Sequence, residues 1–248
     1  MYKFDTKGLG IKGFSFDGIH SDDMNVVLEK YSISTPENRK ITETVPFMNG
    51  TYDFSTALTG EITYNDREIK ITIGFLANNK YELERQCSKV AEWLIDRPRS
   101  KLIFDRILDY YFIGEVVSST TMDKVLEYGK MEITFTCDPF RYSCVYVGEI
   151  EWDTFNFEED YLENCVFNIN RETKCSIHNP GRSVRPVIVS TAPMTMIYDS
   201  VEYSLAKGDN NLYGFYLKNG QNEMIFKGRG TILIRFRKEV LWCIKLNL

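Results

Sequence analysis

The chain has 248 residues, a length that predicts one or two domains. Hydrophobic residues make up 43%, aromatic residues 14% and charged residues 26%, so the chain can bury a core, and collagen, low-complexity disorder and disulfide-dominated miniproteins are excluded. The formal net charge of -5 gives no general excess of positive charge, so binding to nucleic acid would need a local basic patch.

Neither a membrane span nor a secretory leader is expected. No apolar run approaches the roughly 18 residues of a spanning helix, and the polar start Met1–Lys7 lacks the apolar core of a signal peptide. The six cysteines are scattered and include no Cys-x-x-Cys pair, which favours buried, reduced thiols in a protein made in the cytoplasm. Because the only histidines are His20 and His178, we predict no metal site and no cofactor.

Alternation of apolar and polar residues dominates the chain. A short strand is predicted over Gly13–Phe16, and longer strands over Ile69–Phe75 and Met131–Cys137, where every second residue is apolar. This alternation is typical of antiparallel sheets with one face exposed to water.

One segment has helical periodicity instead. Apolar residues recur at three- and four-residue spacing from Asn79 to about Asp96; they are Leu83, Cys87, Val90, Ala91 and Leu94. Asn78 or Asn79 can cap the start, and Arg97-Pro98 marks the end. A single helix lying on antiparallel sheets predicts an α+β N-terminal domain.

No second helix is predicted beyond Cys137-Asp138-Pro139. Short β-rich segments are separated there by turn residues such as Asn179-Pro180-Gly181. Asn219-Gly220, between two apolar segments, predicts a β-hairpin with a type I′ turn. The sequence therefore predicts a mainly β chain, with the α+β domain at residues 1–142 and a C-terminal β-sandwich at residues 143–248.

The densest polar cluster is Asp17-Gly18-Ile19-His20-Ser21-Asp22-Asp23, with three carboxylates and one imidazole. Such a set can bind a divalent cation or do acid–base work. Asp, Gly and Ser are also the usual residues of a turn after a strand, and EF-hand spacing is absent. We interpret the cluster as a turn, with a metal or acid–base site as the alternative.

Three other patterns were candidates for chemistry, and each has a structural explanation that we favour. Ser204-Leu205-Ala206-Lys207 has the Ser-x-x-Lys spacing of penicillin-recognising enzymes, but that chemistry needs a helix and this segment follows a strand-like one. Glu158–Asp160 lies among aromatic residues, as glycosidase carboxylates do, and is interpreted as a solvated loop. A basic run near the C-terminus is interpreted as a wet sheet face or a subunit contact, with phosphate binding as the alternative. Its members are Arg229, Arg235, Arg237 and Lys238.

In their order along the chain, these segments resemble the distal tail protein family of long-tailed phages of Gram-positive bacteria, also known as siphovirus tail proteins. The resemblance covers nearly the whole chain and rests on strand and turn residues: Phe14–Gly18, Ser21–Val27, Val45–Asp53, Ile69–Phe75, Trp93-Leu94, Thr136–Tyr142, Asn179–Gly181, Arg185–Val189 and Gly228–Thr231. Where the family often has a Pro-Gly-Arg-like turn, this chain has Pro46-Phe47-Met48-Asn49-Gly50.

The resemblance implies a structural, non-enzymatic hub at the tail tip of the virion, made in the cytoplasm of a host bacterium. Six copies would form a ring through their N-terminal domains and continue the channel of the tail tube. Galectin-like C-terminal β-sandwiches would project outward and dock receptor-binding or baseplate proteins. The tail tube protein would lie above the homo-hexamer, and a tail-associated lysin or tail fibre protein below it. Neither nucleic-acid sequence recognition nor membrane insertion is expected.

One apolar loop is the predicted subunit contact. Phe47, Met48 and Tyr52 flank the turn at Asn49 and Gly50, and an apolar-rich loop needs burial somewhere. The core of the β-sandwich is the competing place to bury these side chains.

Two other functions remain as alternatives. The C-terminal domain would instead bind cell-surface glycans, with Trp152, Tyr203, Tyr213 or Tyr216 as stacking platforms. A cell-wall hydrolase is the third hypothesis, but the sequence offers no catalytic residues for it, because the common nucleophile and nucleotide signatures are absent.

Overall fold

The computed structural model describes residues 13–47, 49–57, 60–95, 97–107, 109–119, 125, 129–149 and 164–241. The chain divides into two compact units, unit 1 formed by Met1–Arg141 with Leu241–Leu248, and unit 2 formed by Tyr142–Val240. Leu241 thus groups with the first unit rather than with the second.

Unit 1 is built on an antiparallel sheet. Its strands in chain order are β1 (Phe14–Phe16), β2 (Ile19–His20), β3 (Val26–Ile33), β4 (Thr42–Glu43), β5 (Tyr52–Asp53), β6 (Arg67–Phe75), β7 (Ser100–Phe104), β8 (Tyr110–Ser119) and β9 (Lys130–Cys137). Seven of them lie side by side in the order β2-β1-β7-β8-β9-β6-β3, while β4 and β5 form a separate ribbon. Between β2 and β3, Ser21–Met24 forms one turn of 3-10 helix.

The alternation seen in the sequence decides which face of this sheet is buried. Ile69, Ile71 and Ile73 of β6 are at most 1% exposed, and β9 pairs with β6 so that Ile133 lies opposite Ile71. The predicted strands over Ile69–Phe75 and Met131–Cys137 are confirmed, and their apolar faces form one core.

Helix α1 (Lys80–Leu94) covers part of that core, as its periodicity predicts. Asn79 caps it, since the Asn79 side chain accepts a hydrogen bond from the Glu82 N–H at 2.9 Å. Near its end, Trp93 Nε1 donates to the Phe16 carbonyl at 2.9 Å, and the Trp93 ring stacks on Phe14 with centroids 5.4 Å apart. A residue of the last turn therefore fixes the helix to β1.

Unit 2 is organised around one long strand. After β10 (Arg141–Ser143) come β11 (Val166–Asn179), β12 (Val187–Ser190), β13 (Met194–Tyr198), β14 (Val201–Leu205), β15 (Gly208–Asn210), β16 (Gly220–Arg235) and β17 (Glu239–Val240). One side of β16 pairs with β11, and its other side pairs first with β13 and then with β12. Gly228 and Gly230, with φ of +151° and +149°, lie where β16 leaves β13 and joins β12.

These observations confirm a mainly β fold with antiparallel sheets and a single α-helix among the described residues. In unit 2 the six strands β11 to β16 form one hydrogen-bonded sheet around a common core. The galectin-like character of this unit stays a prediction.

The hairpin predicted at Asn219-Gly220 is wrong. Leu217 pairs with Val184, and Gly220 pairs with Asn179 at the end of β11, so the segments on either side of the Asn-Gly pair do not pair with each other. A two-residue turn with two positive φ angles occurs instead at Asp199 (+48°) and Ser200 (+64°), between β13 and β14.

Candidate subunit-contact arm

The predicted subunit-contact residues lie on an arm, residues 34–66, that joins β3 to β6. Within the arm β4 pairs with β5, and the Phe54 N–H donates to the Ile41 carbonyl at 2.8 Å. Nearer the sheet, Asn38 forms a β-bridge with Tyr64. Backbone pairing therefore holds the two legs of the arm together.

The base of the arm is attached to the body of unit 1. The Ser34 hydroxyl donates to the Glu68 carbonyl at 2.8 Å and accepts from the Glu68 N–H at 3.0 Å. The ring of Tyr64 meets Phe140 edge-on, with centroids 5.9 Å apart. These contacts fix the point at which the arm leaves the sheet.

Apolar side chains of the arm are left uncovered by the described part of the chain. Every described residue from 37 to 54 is exposed. The large exposed apolar side chains are Ile41, Val45, Phe47, Tyr52, Phe54 and Ile62. The competing prediction placed the apolar loop residues in the core, and the described ones do not lie there.

The tip of the arm joins β4 to β5. Phe47 is fully exposed, and both Phe47 and Gly50 have positive φ, at +67° and +86°. Asn49 is exposed beside them, whereas Met48 lies outside the described residues. Tyr52 is half exposed, with its ring 6.0 Å from that of Phe54. The role of this set as a subunit contact stays a prediction.

Ser55 links the two legs beyond the tip. Its N–H donates to Asp53 Oδ1 at 2.8 Å, and its hydroxyl accepts from the Ile41 N–H at 2.9 Å. Hydrogen bonds from Ser55, with a smaller effect of the Lys40 charge, lower the pKa of Asp53 below its ordinary value. The carboxylate is therefore ionised at neutral pH.

Four apolar residues of the arm were missed by sequence reasoning. Ile41, Val45, Phe54 and Ile62 lie outside the turn at Asn49 and Gly50, which drew attention to its own neighbours. The available signal was the apolar content of the whole segment between two well-marked strands, without the alternation that would bury one face.

The acidic cluster after β1 forms a turn. Asp17 and Gly18, with φ of +52° and +78°, connect β1 to β2. His20 Nδ1 accepts from the Asp22 N–H at 3.2 Å, and His20 Nε2 lies 3.2 Å from Asp105 Oδ2. In the part of the chain that the structure describes, no group of three His, Cys, Asp or Glu side chains is arranged to hold a metal ion. The cluster thus orders a turn.

The other candidate motifs fall into structural positions or outside the described residues. Ser204 lies in β14, opposite Thr195, and not on a helix. Glu158–Asp160 is outside the described residues. In the basic run, Arg235 pairs with Asp209 at 3.1 Å, and Arg237 donates to the carbonyl of Ser143 at 2.8 Å. No helix among residues 13–241, as far as they are described, could span a membrane.

The aromatic side chains predicted to stack on a sugar differ in how exposed they are. Trp152 is outside the described residues, and Tyr203 is half-buried with its ring 5.7 Å from that of Phe215. Tyr213 is 91% exposed and Tyr216 is 44% exposed.

Comparison with protein families finds a match within unit 1. The family model of the phage tail protein RIFT-related domain matches residues 22–137, a range that runs from the 3-10 turn to the end of β9 and includes the arm and α1. Residues 22–137 of unit 1 are therefore similar to a phage tail protein domain. The match confirms the resemblance to phage tail proteins that the sequence indicates. No curated protein matches the chain.

Solved structures extend the likeness to both units. The Dit protein (gp 19.1) of SPP1, described as a paradigm of the hub adsorption apparatus of phages that infect Gram-positive bacteria, has a TM-score of 0.60 with this chain. The two are 13% identical over 93% of this chain and 100% of that chain, so they share a fold. A chain of the phage p2 baseplate in its activated conformation with Sr has a TM-score of 0.43 and 10% identity, covering 92% of this chain and 99% of that one.

Proposed function

We propose that this phage tail protein is a structural, non-enzymatic hub at the tail tip of the virion. Six copies would form a ring that joins the tail tube to tail-tip or baseplate proteins and to receptor-binding proteins. The fold shared with SPP1 Dit over nearly the whole chain carries the proposal, since that protein is described as a hub. The phage tail domain in unit 1 supports it independently of the fold.

The arm is the proposed contact between neighbouring copies. A ring needs a heterologous interface, in which one surface of each copy meets a different surface of the next. The arm offers such a surface, because its two legs are paired and its apolar side chains at Phe47, Tyr52 and Phe54 are exposed. Contiguous exposed apolar surface of this kind marks an interaction site.

Other proposed partners would bind the two faces of the ring, along its axis, or unit 2. The tail tube protein would bind one face, and a tail-associated lysin or tail fibre protein the other. Unit 2 would dock receptor-binding or baseplate proteins.

The mass of the purified full chain in solution tests the ring. Light scattering over a range of protein concentrations, alone and with purified tail tube protein, should give a species of six times the monomer mass. Negative-stain images of that species should show a ring with a central hole. A monomer under every condition, including the tube protein, would contradict the proposal.

Substitutions at the tip test the arm. Phe47→Asn combined with Tyr52→Ser should shift the hexamer towards monomer and leave the circular dichroism spectrum of the folded chain unchanged, because both side chains are exposed and Asn tolerates positive φ. Tyr81→Ser is the matched control, since Tyr81 is a 78% exposed aromatic residue on α1, outside the arm. Equal loss of hexamer in both variants would overturn the role of the arm.

Glycan binding is the second candidate function. The exposed rings of Tyr213 and Tyr216 favour it, since buried aromatic residues could not stack on a sugar. Binding to surface glycans is compatible with a hub, because it would use unit 2 while the ring would use unit 1.

A further inference from the structure

Three side chains of unit 2 form an exposed group, here termed the Arg185 patch: Arg185, Tyr213 and Tyr216. The guanidinium carbon of Arg185 lies 5.2 Å from the ring centroid of Tyr216 and 5.9 Å from that of Tyr213. Arg185 Nη2 also donates a hydrogen bond to the Tyr216 hydroxyl at 2.9 Å. The cation therefore lies close to two aromatic rings.

The backbone beneath the Arg185 patch is well ordered by pairing. Val184 and Leu217 exchange two backbone hydrogen bonds, at 2.9 Å and 3.0 Å, which makes Arg185 and Tyr216 neighbours across the two segments. On the other side of Tyr216, Phe215 is fully buried and packs edge-on against Tyr198. The patch is thus preorganised, and a ligand would not have to order it.

Tyr213 reaches the patch because of the residue that follows it. Gly214 has φ of +75°, a conformation that a glycine adopts without steric cost. The chain changes direction there between the buried Phe215 and the exposed Tyr213.

The charge of Arg185 is not neutralised by the described part of the chain. Arg185 has no ion pair with any described residue, whereas elsewhere in unit 2 Arg235 pairs with Asp209 and Lys218 pairs with Asp199. A guanidinium offers a planar set of donors that matches a carboxylate or a phosphate in two parallel hydrogen bonds. An acidic group is therefore the natural complement of Arg185.

The rings favour a sugar over a protein as the carrier of that acidic group. Tyr213 is 91% exposed, so most of its ring is open to the C–H face of a sugar ring. Phe215 and Leu217, which adjoin the tyrosines, are fully buried, so these two neighbours add no exposed apolar surface to the patch. A protein interface of standard size buries about 800 Å² on each partner, with an apolar centre.

We propose, resting on the candidate glycan-binding function of unit 2, that the Arg185 patch binds an anionic saccharide, a sugar that carries a carboxylate or a phosphate group. Tyr213 stacks on the sugar ring, Arg185 binds the acidic group, and Tyr216 holds Arg185 in place. All three residues belong to unit 2, whereas the arm belongs to unit 1, so loss of sugar binding and loss of the ring can be measured separately.

Calorimetric titration of the full chain tests the proposal with four probes. Tetragalacturonate carries carboxylates on sugar rings, glucose 6-phosphate carries a phosphate on one, maltotetraose is a neutral sugar, and tetraglutamate carries carboxylates without a sugar. We expect at least one of the two anionic sugars to bind roughly tenfold or more tightly than maltotetraose and tetraglutamate, since a charge-assisted pair is lost in one and the stacking in the other. Added salt should weaken this binding.

Variants with matched controls locate the site. Arg185→Gln and Tyr213→Ala should each weaken binding of the anionic sugar roughly tenfold. Arg106→Gln removes the same charge from an exposed position of unit 1, and Tyr81→Ala removes an exposed tyrosine from the same unit, so both should bind as the unchanged chain does. Thermal unfolding of each variant, followed by circular dichroism, verifies that it is folded.

Four results would overturn the proposal. They are no binding of either anionic sugar, equal binding of maltotetraose, binding of tetraglutamate as tight as that of the sugars, and equal weakening in the control variants. Tight binding of tetraglutamate would indicate an acidic protein segment as the partner instead.

Discussion

Gly114 lies where β8 passes closest to β9, opposite Cys137. A Cβ atom on Gly114 would overlap the Cys137 sulfur and would lie 2.7 Å from the Thr136 carbonyl oxygen. Because part of this overlap involves backbone, it cannot be relieved by a side-chain rotation. Space, rather than a special φ angle, requires glycine at this position.

Gly114→Ala should therefore lower the free energy of unfolding by about 1–3 kcal/mol, the usual cost of overpacking a core. Urea denaturation of the full chain measures this. Gly74→Ala in β6 is the matched control, because its Cβ would meet only the flexible end of the Glu29 side chain. Equal destabilisation by the two substitutions would show that lost chain flexibility or strand geometry, and not the contact with β9, sets the cost.

The described cysteines, Cys87, Cys137, Cys144, Cys165 and Cys175, are free thiols. Burial is the main cause that raises the pKa of Cys137 to about 12 and that of Cys87 to about 11, from an ordinary value of 9.0. Both thiols are therefore neutral at physiological pH and poor nucleophiles in the folded protein.

Stability should consequently depend on alkaline pH. Because the pKa of Cys137 is higher in the folded chain than in the unfolded one, its contribution is fully present below about pH 9 and is lost as the pH rises towards 12. Urea unfolding at several pH values from 8 to 11 should show a free energy that falls with pH, and Cys137→Ala should fall less steeply. Parallel curves for the two proteins would contradict the assignment to Cys137.

At the scale of single elements, helix α1 depends on its first turn. The Asn79 side chain accepts from the Glu82 N–H, and Glu82 Oε2 in turn accepts from the Asn78 N–H at 3.1 Å. Two backbone donors that no carbonyl of the helix can reach are thereby satisfied.

Asn79→Ala should lower the free energy of unfolding by about 1 kcal/mol, the usual cost of losing a cap. Asn79→Ser keeps an acceptor at the same position and should cost clearly less. Chemical denaturation of both variants, read at the helical circular dichroism signal, makes the comparison. A serine variant as unstable as the alanine variant would mean that Asn79 does not act through this hydrogen bond.

Elements with a strict period could be predicted from the sequence, and those that depend on distant partners could not. The alternation in β6 and the helical spacing in α1 are local, and both elements were found where they were predicted. The Asn219-Gly220 signal is also local, but Asn222 competes for the same turn. Its side chain accepts from the Lys218 N–H and donates to the Lys218 carbonyl, both at 2.8 Å.

The same distinction applies to the candidate sites. Phe47 and Tyr52 could be singled out because apolar residues beside a turn are noticeable in a sequence. Arg185 could not, since a bridge between Val184 and Leu217 brings it to Tyr216, and no periodicity links segments so far apart.

At the scale of the whole molecule, the buried side chain of Arg67 binds two segments of unit 1: the one that leads into unit 2 and the one that follows it. Its side chain is 2% exposed, and its guanidinium lies 5.7 Å from the Phe112 ring centroid. Nη2 donates to the carbonyl of Pro139, shortly before unit 2 begins, and at 2.6 Å to the carbonyl of Leu241, just after unit 2 ends. The guanidinium of Arg67 on β6 therefore attaches both of these segments to the sheet of unit 1 by hydrogen bonds.

Arg67→Met should remove these hydrogen bonds while keeping most of the buried volume. Leaving two carbonyls without this donor should cost about 2–5 kcal/mol of unfolding free energy. Arg39→Met, at an exposed position of the arm, is the control and should cost little. Urea denaturation measures the free energy of unfolding of both variants.

Native-state hydrogen exchange then locates the loss. Arg67 lies on β6, so its replacement should speed exchange of β6 amides in unit 1 more than that of β16 amides in unit 2. If exchange rises equally in both units, the chain unfolds as one cooperative body, and Arg67 stabilises the whole molecule. If neither stability nor exchange changes, the carbonyls of Pro139 and Leu241 do not depend on Arg67, and the connections are held by other contacts.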